Sequence, residues 1–314
     1  MTRLSRQGVT GLRGKYMQDM DFPMIGRLQP THSGEASMPA IQSCFIEPIW
    51  EQFEALLPER EDGHSLGCHR PRVPDRLVFD KLVEVAVYGC AYWRIADRSC
   101  SATTLRRRRD EWIALGLMDQ LEDIARQGYD RLIGLQLEDI SVDGCITKAP
   151  CGGEIAGPSP VDRAKQGTKR SIAVDGAGIP LATLTAPANR HDSRLLAPTL
   201  DMLRDFALPA GETTVHLDRG YDTGVTRTEL DRRGLVACIS RRGAPAPLQA
   251  TARWVVERTN AWHNTFKKLA WCTERRAVVI RFYLALVNTV IIVRRLLREA
   301  WKRYRWDARP RRCP

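Results

Sequence analysis

The hydrophobic positions in the first third of the chain recur with helical spacing. From residue 41 to 57 the apolar side chains return every three or four positions, and Pro58 ends this run. The same spacing predicts three further helices, at 75–93, at 118–132 and, between them, one capped by Ser101 or Thr103. Residues 1–38 are polar and Gly-rich, which is typical of a flexible leader. Four short helices within about 90 residues predict a small all-helical domain at 39–135.

From residue 138 the hydrophobic period becomes that of strands. Short apolar and β-branched runs predict strands at 138–144, 169–174, 180–185, 213–217 and 235–240. The segment Asp175–Gly178 has the composition of a hairpin turn. Helices are predicted around these strands, at 192–206, at 226–233, from about Arg253 onward and at 277–305. We therefore expect a mixed α/β domain at 136–297, followed by a basic tail at 298–314.

Composition adds an asymmetry in charge. Of the 314 residues, 43% are hydrophobic and 27% are charged, which excludes a mainly disordered chain and a collagen-like fibre. The formal net charge of +11 indicates an anionic partner, and nucleic acid is the commonest one. Residues 258–314 contain fifteen Lys or Arg and only three Asp or Glu. The basic character is therefore concentrated in the C-terminal fifth of the chain.

The sequence favours a cytoplasmic protein without a membrane anchor. The first 40 residues lack the apolar core of a secretory signal. The most apolar stretch, 277–293, is interrupted by Arg281 and Asn288, so we interpret it as a buried helix rather than a membrane span. The nine cysteines are scattered and form no C-x-x-C pair, which fits a reducing compartment.

Three carboxylates stand at positions where metal-dependent chemistry could use them. Asp143 and Asp218 are predicted at the carboxyl ends of two strands, the edge at which open α/β sheets bind ligands. Glu257 lies on a helical stripe of otherwise basic or amide residues. Each also has an ordinary explanation, since Asp often forms turns and Glu257 could pair with a neighbouring arginine. Together they could hold two Mg²⁺ ions that activate a water or a 3′-hydroxyl for phosphodiester chemistry.

Motifs around these residues resemble those of bacterial insertion-sequence transposases of the DDE type, in the insertion-sequence-five group. They occur at 67–80, at 88–93, at 141–144 (Ser-Val-Asp-Gly), at 188–193 (Ala-Asn-Arg-His-Asp-Ser), at 217–222 (Leu-Asp-Arg-Gly-Tyr-Asp) and at 254–259 (Trp-Val-Val-Glu-Arg-Thr). Each is weakly specific alone, whereas their order and spacing across residues 41–295 are specific. The resemblance implies a ribonuclease-H-like catalytic domain with a mixed sheet, behind a helical domain that helps bind transposon ends. It also implies that Asp143, Asp218 and Glu257 form the catalytic, metal-binding triad.

The family's Tyr-Arg-Glu-Lys signature is only partly present. Arg253 matches its arginine, whereas Ala250 stands at the tyrosine position and Asn264 at the lysine position. Lys267 or Lys268, one turn further along the predicted helix, could replace that lysine in binding DNA. Further candidates for DNA contact are basic residues beside a predicted helix or strand, namely Arg106, Arg107, Arg241 and Arg242. A solvated position explains these residues as well as DNA contact does.

The expected function is that of a DNA transposase. It would bind the terminal inverted repeats of an insertion sequence and catalyse metal-dependent strand cleavage and transfer. The expected cofactor is Mg²⁺, as two ions that Mn²⁺ could replace, and the expected partner is double-stranded DNA, as transposon ends and target. We expect a homodimer in the DNA complex, located in the cytoplasm at the nucleoid. The alternatives are a decayed or domesticated transposase that only binds DNA, and a host nuclease with the same core.

Overall fold

A helical region occupies the N-terminal part of the structure, a computed structural model that describes residues 40–59, 71–240 and 253–304. The predicted leader at 1–38 therefore lies outside the described residues, as do Arg241 and Arg242. The helices of this region are α1 (Ser43–Leu56), α2 (Asp75–Tyr88), α3 (Tyr92–Ile95), α4 (Ala102–Ala114) and α5 (Leu117–Leu132). They agree with the predicted helices except that the second one is divided into α2 and α3.

Gly89 causes that division. It ends α2 in the left-handed conformation, with φ 66°, and its N–H donates to the carbonyl of Val85. A side chain at this position would overlap the backbone of Lys267, so the approach of a distant segment also requires glycine here. The hydrophobic pattern of α2 alone contains no sign of that contact.

The sheet follows the helical region and contains parallel and antiparallel pairs. Its strands are β1 (Asp139–Lys148), β2 (Gly157–Pro158), β3 (Gln166–Val174), β4 (Pro180–Pro187), β5 (Thr214–Leu217) and β6 (Val236–Ile239). Strands β1, β3 and β4 form an antiparallel meander, whereas β5 pairs parallel to β1 and β6 pairs parallel to β5. The resulting order β4-β3-β1-β5-β6 is the ribonuclease-H-like arrangement. The predicted α/β class with a mixed sheet behind a helical region is confirmed.

Strand β1 is longer than its sequence predicts, and this changes the position of Asp143. The predicted strand ends at Gly144, but residues up to Lys148 continue to pair with β3. The parallel pairing with β5 stops much earlier, at Ser141 opposite His216. Asp143 therefore lies inside a strand rather than at its end, two residues beyond the point at which β1 and β5 stop pairing.

Five helices of the described chain surround the sheet or follow it. They are α6 (Asp192–Asp201), α7 (Gly224–Arg232), α8 (Trp254–Thr265), α9 (Lys267–Ala270) and α10 (Ala277–Tyr304). The helix predicted to continue past Arg253 breaks at Phe266, which takes an extended backbone conformation with ψ 106° and is buried. Lys267 and Lys268 therefore do not continue the polar stripe of α8.

Helix α10 contacts both regions. It packs on α1 and α5 of the helical region and on β4 of the sheet. By length and composition α10 could cross a membrane, but 78% of its most apolar window is buried inside the protein. The predicted domain boundary at 135/136 therefore does not divide the core. The predicted tail at 298–314 begins within α10, which continues to Tyr304, and its remainder lies outside the described residues.

Candidate catalytic site

Asp143 and Asp218 lie on adjacent strands at one edge of the sheet. The parallel register that pairs Ser141 with His216 would, if continued, place Asp143 opposite Asp218. Asp218 follows β5 directly and caps the 3-10 turn Arg219–Tyr221, because its Oδ1 accepts the N–H of Gly220 at 2.6 Å. One oxygen of Asp218 is thus used by the backbone, and the other is available to the site.

Glu257 reaches the same region from the first turn of α8. It lines an open pocket of about 470 Å³ together with Asp143. Arg253, one turn earlier, donates from Nη2 to Glu257 Oε1 at 2.8 Å, and its Nη1 lies 3.8 Å from Asp218 Oδ2. The three predicted carboxylates therefore lie around one edge of the sheet, and the guanidinium of Arg253 lies between Asp218 and Glu257.

The surroundings of Asp143 raise the pKa of its carboxyl above the ordinary value. Burial, and to a lesser extent the negative charge of Asp218, raises the pKa of its carboxyl to about 6. The backbone N–H of Gly144 and the guanidinium of Arg253 act in the opposite direction but do not cancel the burial. A half-buried carboxylate beside a second carboxylate favours the binding of a cation, and raised pKa values of this kind are concentrated at functional sites.

The donor set fits a hard divalent cation. Carboxylate oxygens are the ligands that Mg²⁺ prefers in proteins, and three are available at this edge of the sheet. Within 40–59, 71–240 and 253–304, no three His, Cys, Asp or Glu side chains already converge at metal-binding distances. The cation that lies between Asp218 and Glu257 in this structure is the guanidinium of Arg253. Metal binding therefore requires Arg253 to leave these two carboxylates.

Asn264, at the lysine position of the family signature, lines the same pocket. Its Oδ1 accepts a hydrogen bond of 2.6 Å from Nη2 of Arg170, a fully buried residue of β3. Arg170 also donates to the carbonyl of Leu269, but no ion pair with a carboxylate is found for it among the residues described. The positive charge is therefore that of buried Arg170, which lies beneath Asn264.

The two lysines proposed to replace the family lysine have different surroundings. Lys267 is exposed. Lys268 is only 3% exposed, and its ammonium pairs with Glu274 at 2.6 Å and donates to Thr273. The prediction that Lys268 contacts DNA is corrected by this burial, which follows from the break at Phe266.

The arginine run of α4 divides into an exposed half and a buried half. Arg106 and Arg107 are exposed, and Arg106 stacks on the ring of Tyr92. Arg108 and Arg109 are 1% and 4% exposed and form ion pairs inside the helical region. Two of the four arginines are therefore available to DNA, and the other two are structural.

Much of the basic C-terminal segment is neutralised within the fold. Arg276 pairs with Asp110 at 2.9 Å, and Arg281 pairs with Asp119 at 2.7 Å and with Glu122 at 3.0 Å. These carboxylates belong to the helical region. The concentration of charge along the sequence therefore does not correspond to an equally basic surface.

Sequence reasoning missed part of this site. Lys169 and Arg170 stand in the middle of strand β3, and both are nearly fully buried. Two consecutive charged residues inside a predicted core strand were the available signal. The N-cap of α6 is His191, whose Nδ1 accepts the N–H of Ser193.

Two family models match the chain. One is described as "Putative transposase of IS4/5 family" and matches residues 47–122. The other is described as "Transposase DDE domain" and matches residues 138–244. Asp143 and Asp218 fall within the second match, and Glu257 lies beyond it.

Individual proteins are also similar to the chain. The chain is 36% identical over 168 residues to "Putative transposase for insertion sequence element IS402" of Burkholderia cepacia, which covers 52% of this chain and 77% of that protein. It is 26% identical over 100 residues to "Uncharacterized protein y4sN" of Sinorhizobium fredii, covering 32% of this chain and 72% of that protein. A solved structure described as "Crystal structure of the Mos1 mariner paired end complex with Mn" aligns with a TM-score of 0.33 at 11% identity, over 82% of this chain and 84% of that one.

Proposed function

We propose that this chain, which belongs to the DDE transposases of insertion sequences, binds the terminal inverted repeats of its own element and cleaves and transfers DNA strands with Mg²⁺. The observation that carries this proposal is the position of Asp143, Asp218 and Glu257 around one edge of the sheet, where Asp143 is half-buried and Arg253 contacts the other two carboxylates. Mn²⁺ has the same hard-ligand preference and would replace Mg²⁺.

Asp143 and Asp218 would hold the cation from adjacent strands, and Glu257 would complete the set from α8. Bound there, Mg²⁺ supplies a more acidic water or 3′-hydroxyl and neutralises charge at the attacked phosphate. Arg253 has a second role in this scheme. Once its two carboxylates take up the cation, its guanidinium is released beside the pocket, where it can donate two hydrogen bonds to a phosphate.

DNA would be held by cationic residues outside the triad. The residues that we assign to phosphate contact are Arg106, Arg107, Arg241, Arg242, Arg253 and Lys267. The helical region would position the transposon ends, and a homodimer would hold two ends at once. These roles place the protein in the cytoplasm, where it can reach the nucleoid.

The test is cleavage of a labelled duplex that carries the inverted repeat, in Mg²⁺ and in Mn²⁺. We expect Asp143→Asn, Asp218→Asn and Glu257→Gln each to lower the cleavage rate by at least about 10³-fold, since cation-assisted steps contribute several kcal/mol. Binding of the uncleaved duplex should change little. The matched control is Glu212→Gln, an exposed carboxylate in the loop before β5, which should cleave at the normal rate.

Two results would contradict the proposal. Cleavage or strand transfer retained in any of the three variants would remove that residue from the catalytic set. Duplex binding without cleavage by the unaltered chain, in either metal, would favour the alternative of a protein that only binds DNA.

A further inference from the structure

A fourth carboxylate lies beside Asp143, on α6. Asp192 is the first residue of this helix, and its Oδ1 occupies the space in which a side chain at Gly144 would have to lie. Adjacent residues of a strand point to opposite faces of the sheet, so Asp192 approaches β1 from the face opposite to that of the Asp143 side chain. Because Gly144 has no side chain, Asp192 can come close to the site at this position.

The two oxygens of Asp192 have different surroundings. Oδ2 accepts a hydrogen bond of 3.0 Å from the ammonium of Lys169, which is only 4% exposed. Oδ1 is buried and has no hydrogen-bond partner within the described parts of the chain. A buried carboxylate oxygen without a donor is costly, so this atom requires an explanation.

A second unpartnered polar group lies near the same carboxylates. Tyr221 is fully buried in the turn that follows Asp218, and in the described structure its hydroxyl has no hydrogen-bond partner. Burial raises the pKa of this hydroxyl, and the charges of Asp192, Asp143 and Asp218 act in the same direction. An unused donor and an unused acceptor therefore lie around the same carboxylates.

Ordinary structural roles account for only part of this arrangement. An ion pair with buried Lys169 explains one oxygen of Asp192 and leaves the other without a donor. Helix capping does not explain Asp192 either, because His191 is the capping residue of α6. Neither role accounts for Tyr221. A hydrated divalent cation would satisfy both groups, since Mg²⁺ keeps several waters that can donate to Oδ1 and accept from the tyrosine hydroxyl.

We propose that Asp192 is a fourth carboxylate of the divalent-cation site, which acts through the water shell of the cation held by Asp143. Lys169 fixes the orientation of Asp192, and Tyr221 bonds to the same water shell. Asp192 is therefore a positioning residue rather than a member of the predicted triad. This inference rests on the proposed function, because it assumes that Asp143 binds a divalent cation.

The test is titration of the full chain with Mn²⁺ by calorimetry, in the absence of DNA. We expect Asp192→Asn to weaken Mn²⁺ binding by about 10- to 100-fold, the range usual for residues that act on a metal through its ligands. Asp143→Asn should abolish binding. The matched control is Asp201→Asn at the other end of α6, about 13 Å along the helix axis from Asp192, which should bind Mn²⁺ normally.

A double variant separates cation binding from folding. Asp192→Asn leaves buried Lys169 without its partner, whereas Lys169→Met with Asp192→Asn removes both charges. We expect the double variant to recover the thermal stability of the original chain and still to bind Mn²⁺ weakly. Tyr221→Phe should weaken Mn²⁺ binding by about threefold, as expected for one lost hydrogen bond.

The outcomes distinguish this inference from the proposed function. Normal Mn²⁺ affinity in both Asp192 variants, with none in Asp143→Asn, would overturn the role of Asp192 and leave the catalytic proposal intact. Normal Mn²⁺ affinity in Asp143→Asn would overturn the cation site itself and this inference with it.

Discussion

Among the described residues, buried charges have partners of opposite charge in the helical region, whereas at the catalytic edge of the sheet they lie beside like charges or without an ion pair. In the helical region, Arg108 is almost completely buried, forms an ion pair with Asp75 and donates to the carbonyl of Val73. At the sheet edge, Asp143 is half-buried next to another carboxylate. Beneath the pocket, Arg170 is buried without an ion pair to any carboxylate in the described structure.

Buried charges that have a partner of opposite charge stabilise the fold. We expect buried charges without such a partner to serve the binding of a ligand instead. Breaking a matched buried pair is strongly destabilising, because it leaves one charge without compensation. An unmatched buried charge already carries that cost in the folded state, so its removal should stabilise the protein while it harms function. Substitutions in the two regions should therefore change stability with opposite signs.

The largest effect is expected at Arg108. Arg108→Met removes the guanidinium that bonds to Asp75 and to a backbone carbonyl, so the free energy of unfolding should fall by about 3 kcal/mol. Urea unfolding measures this change. Arg107→Met, at the exposed neighbouring position of α4, should change it by less than about 0.5 kcal/mol. Equal losses in the two variants would show that the buried pair contributes no specific stability.

Substitution of Asp143 should raise the free energy of unfolding rather than lower it, and the size of this change should depend on pH. The folded state raises the pKa of this carboxyl to about 6, from the ordinary value of about 3.9 in unfolded chains. Asp143 therefore favours the folded state below about pH 4, and this contribution is lost as the pH rises through 6. Without divalent cations, Asp143→Asn should be more stable than the unaltered chain by about 2–3 kcal/mol at pH 7, and equally stable near pH 4.

Chemical unfolding at several pH values in a chelator measures this difference. Saturating Mg²⁺ should reduce it or reverse its sign, because the cation binds only the folded chain that retains Asp143. A difference between the two proteins that is the same at pH 4 and pH 7 would contradict the assignment of the raised pKa to Asp143.

The same contrast explains which parts of the structure could be predicted from sequence. Helices α1, α4 and α5 and the strands of the meander are visible because hydrophobic periodicity is local. The end of α2 at Gly89 and the continuation of β1 to Lys148 are not visible, because each depends on a segment distant in sequence. Gly89 contacts the backbone of Lys267, and the second half of β1 is held by β3.

For the candidate site too, the sequence predicts some features and not others. The positions of Asp143 and Asp218 beside strands, and of Glu257 on a helix, follow from pattern and family resemblance. Their electrostatic state does not, because it depends on burial and on contacts between elements. The closeness of Asp192 to Gly144 likewise requires the packing of α6 on the sheet. Sequence could therefore indicate candidate catalytic groups, whereas their charge balance required the structure.

The smallest expected effect tests whether the two regions unfold together. Ser101 caps α4 and Thr223 caps α7, each with its hydroxyl accepting a backbone N–H at 3.1 Å. Ser101→Ala and Thr223→Ala should each lower the free energy of unfolding by about 1 kcal/mol. Because α10 packs on both regions, we expect both changes to shift one common calorimetric transition. If Ser101→Ala shifted one transition and Thr223→Ala another, the helical region and the sheet would be independent units, and Arg108 and Asp143 would report on two separate stabilities.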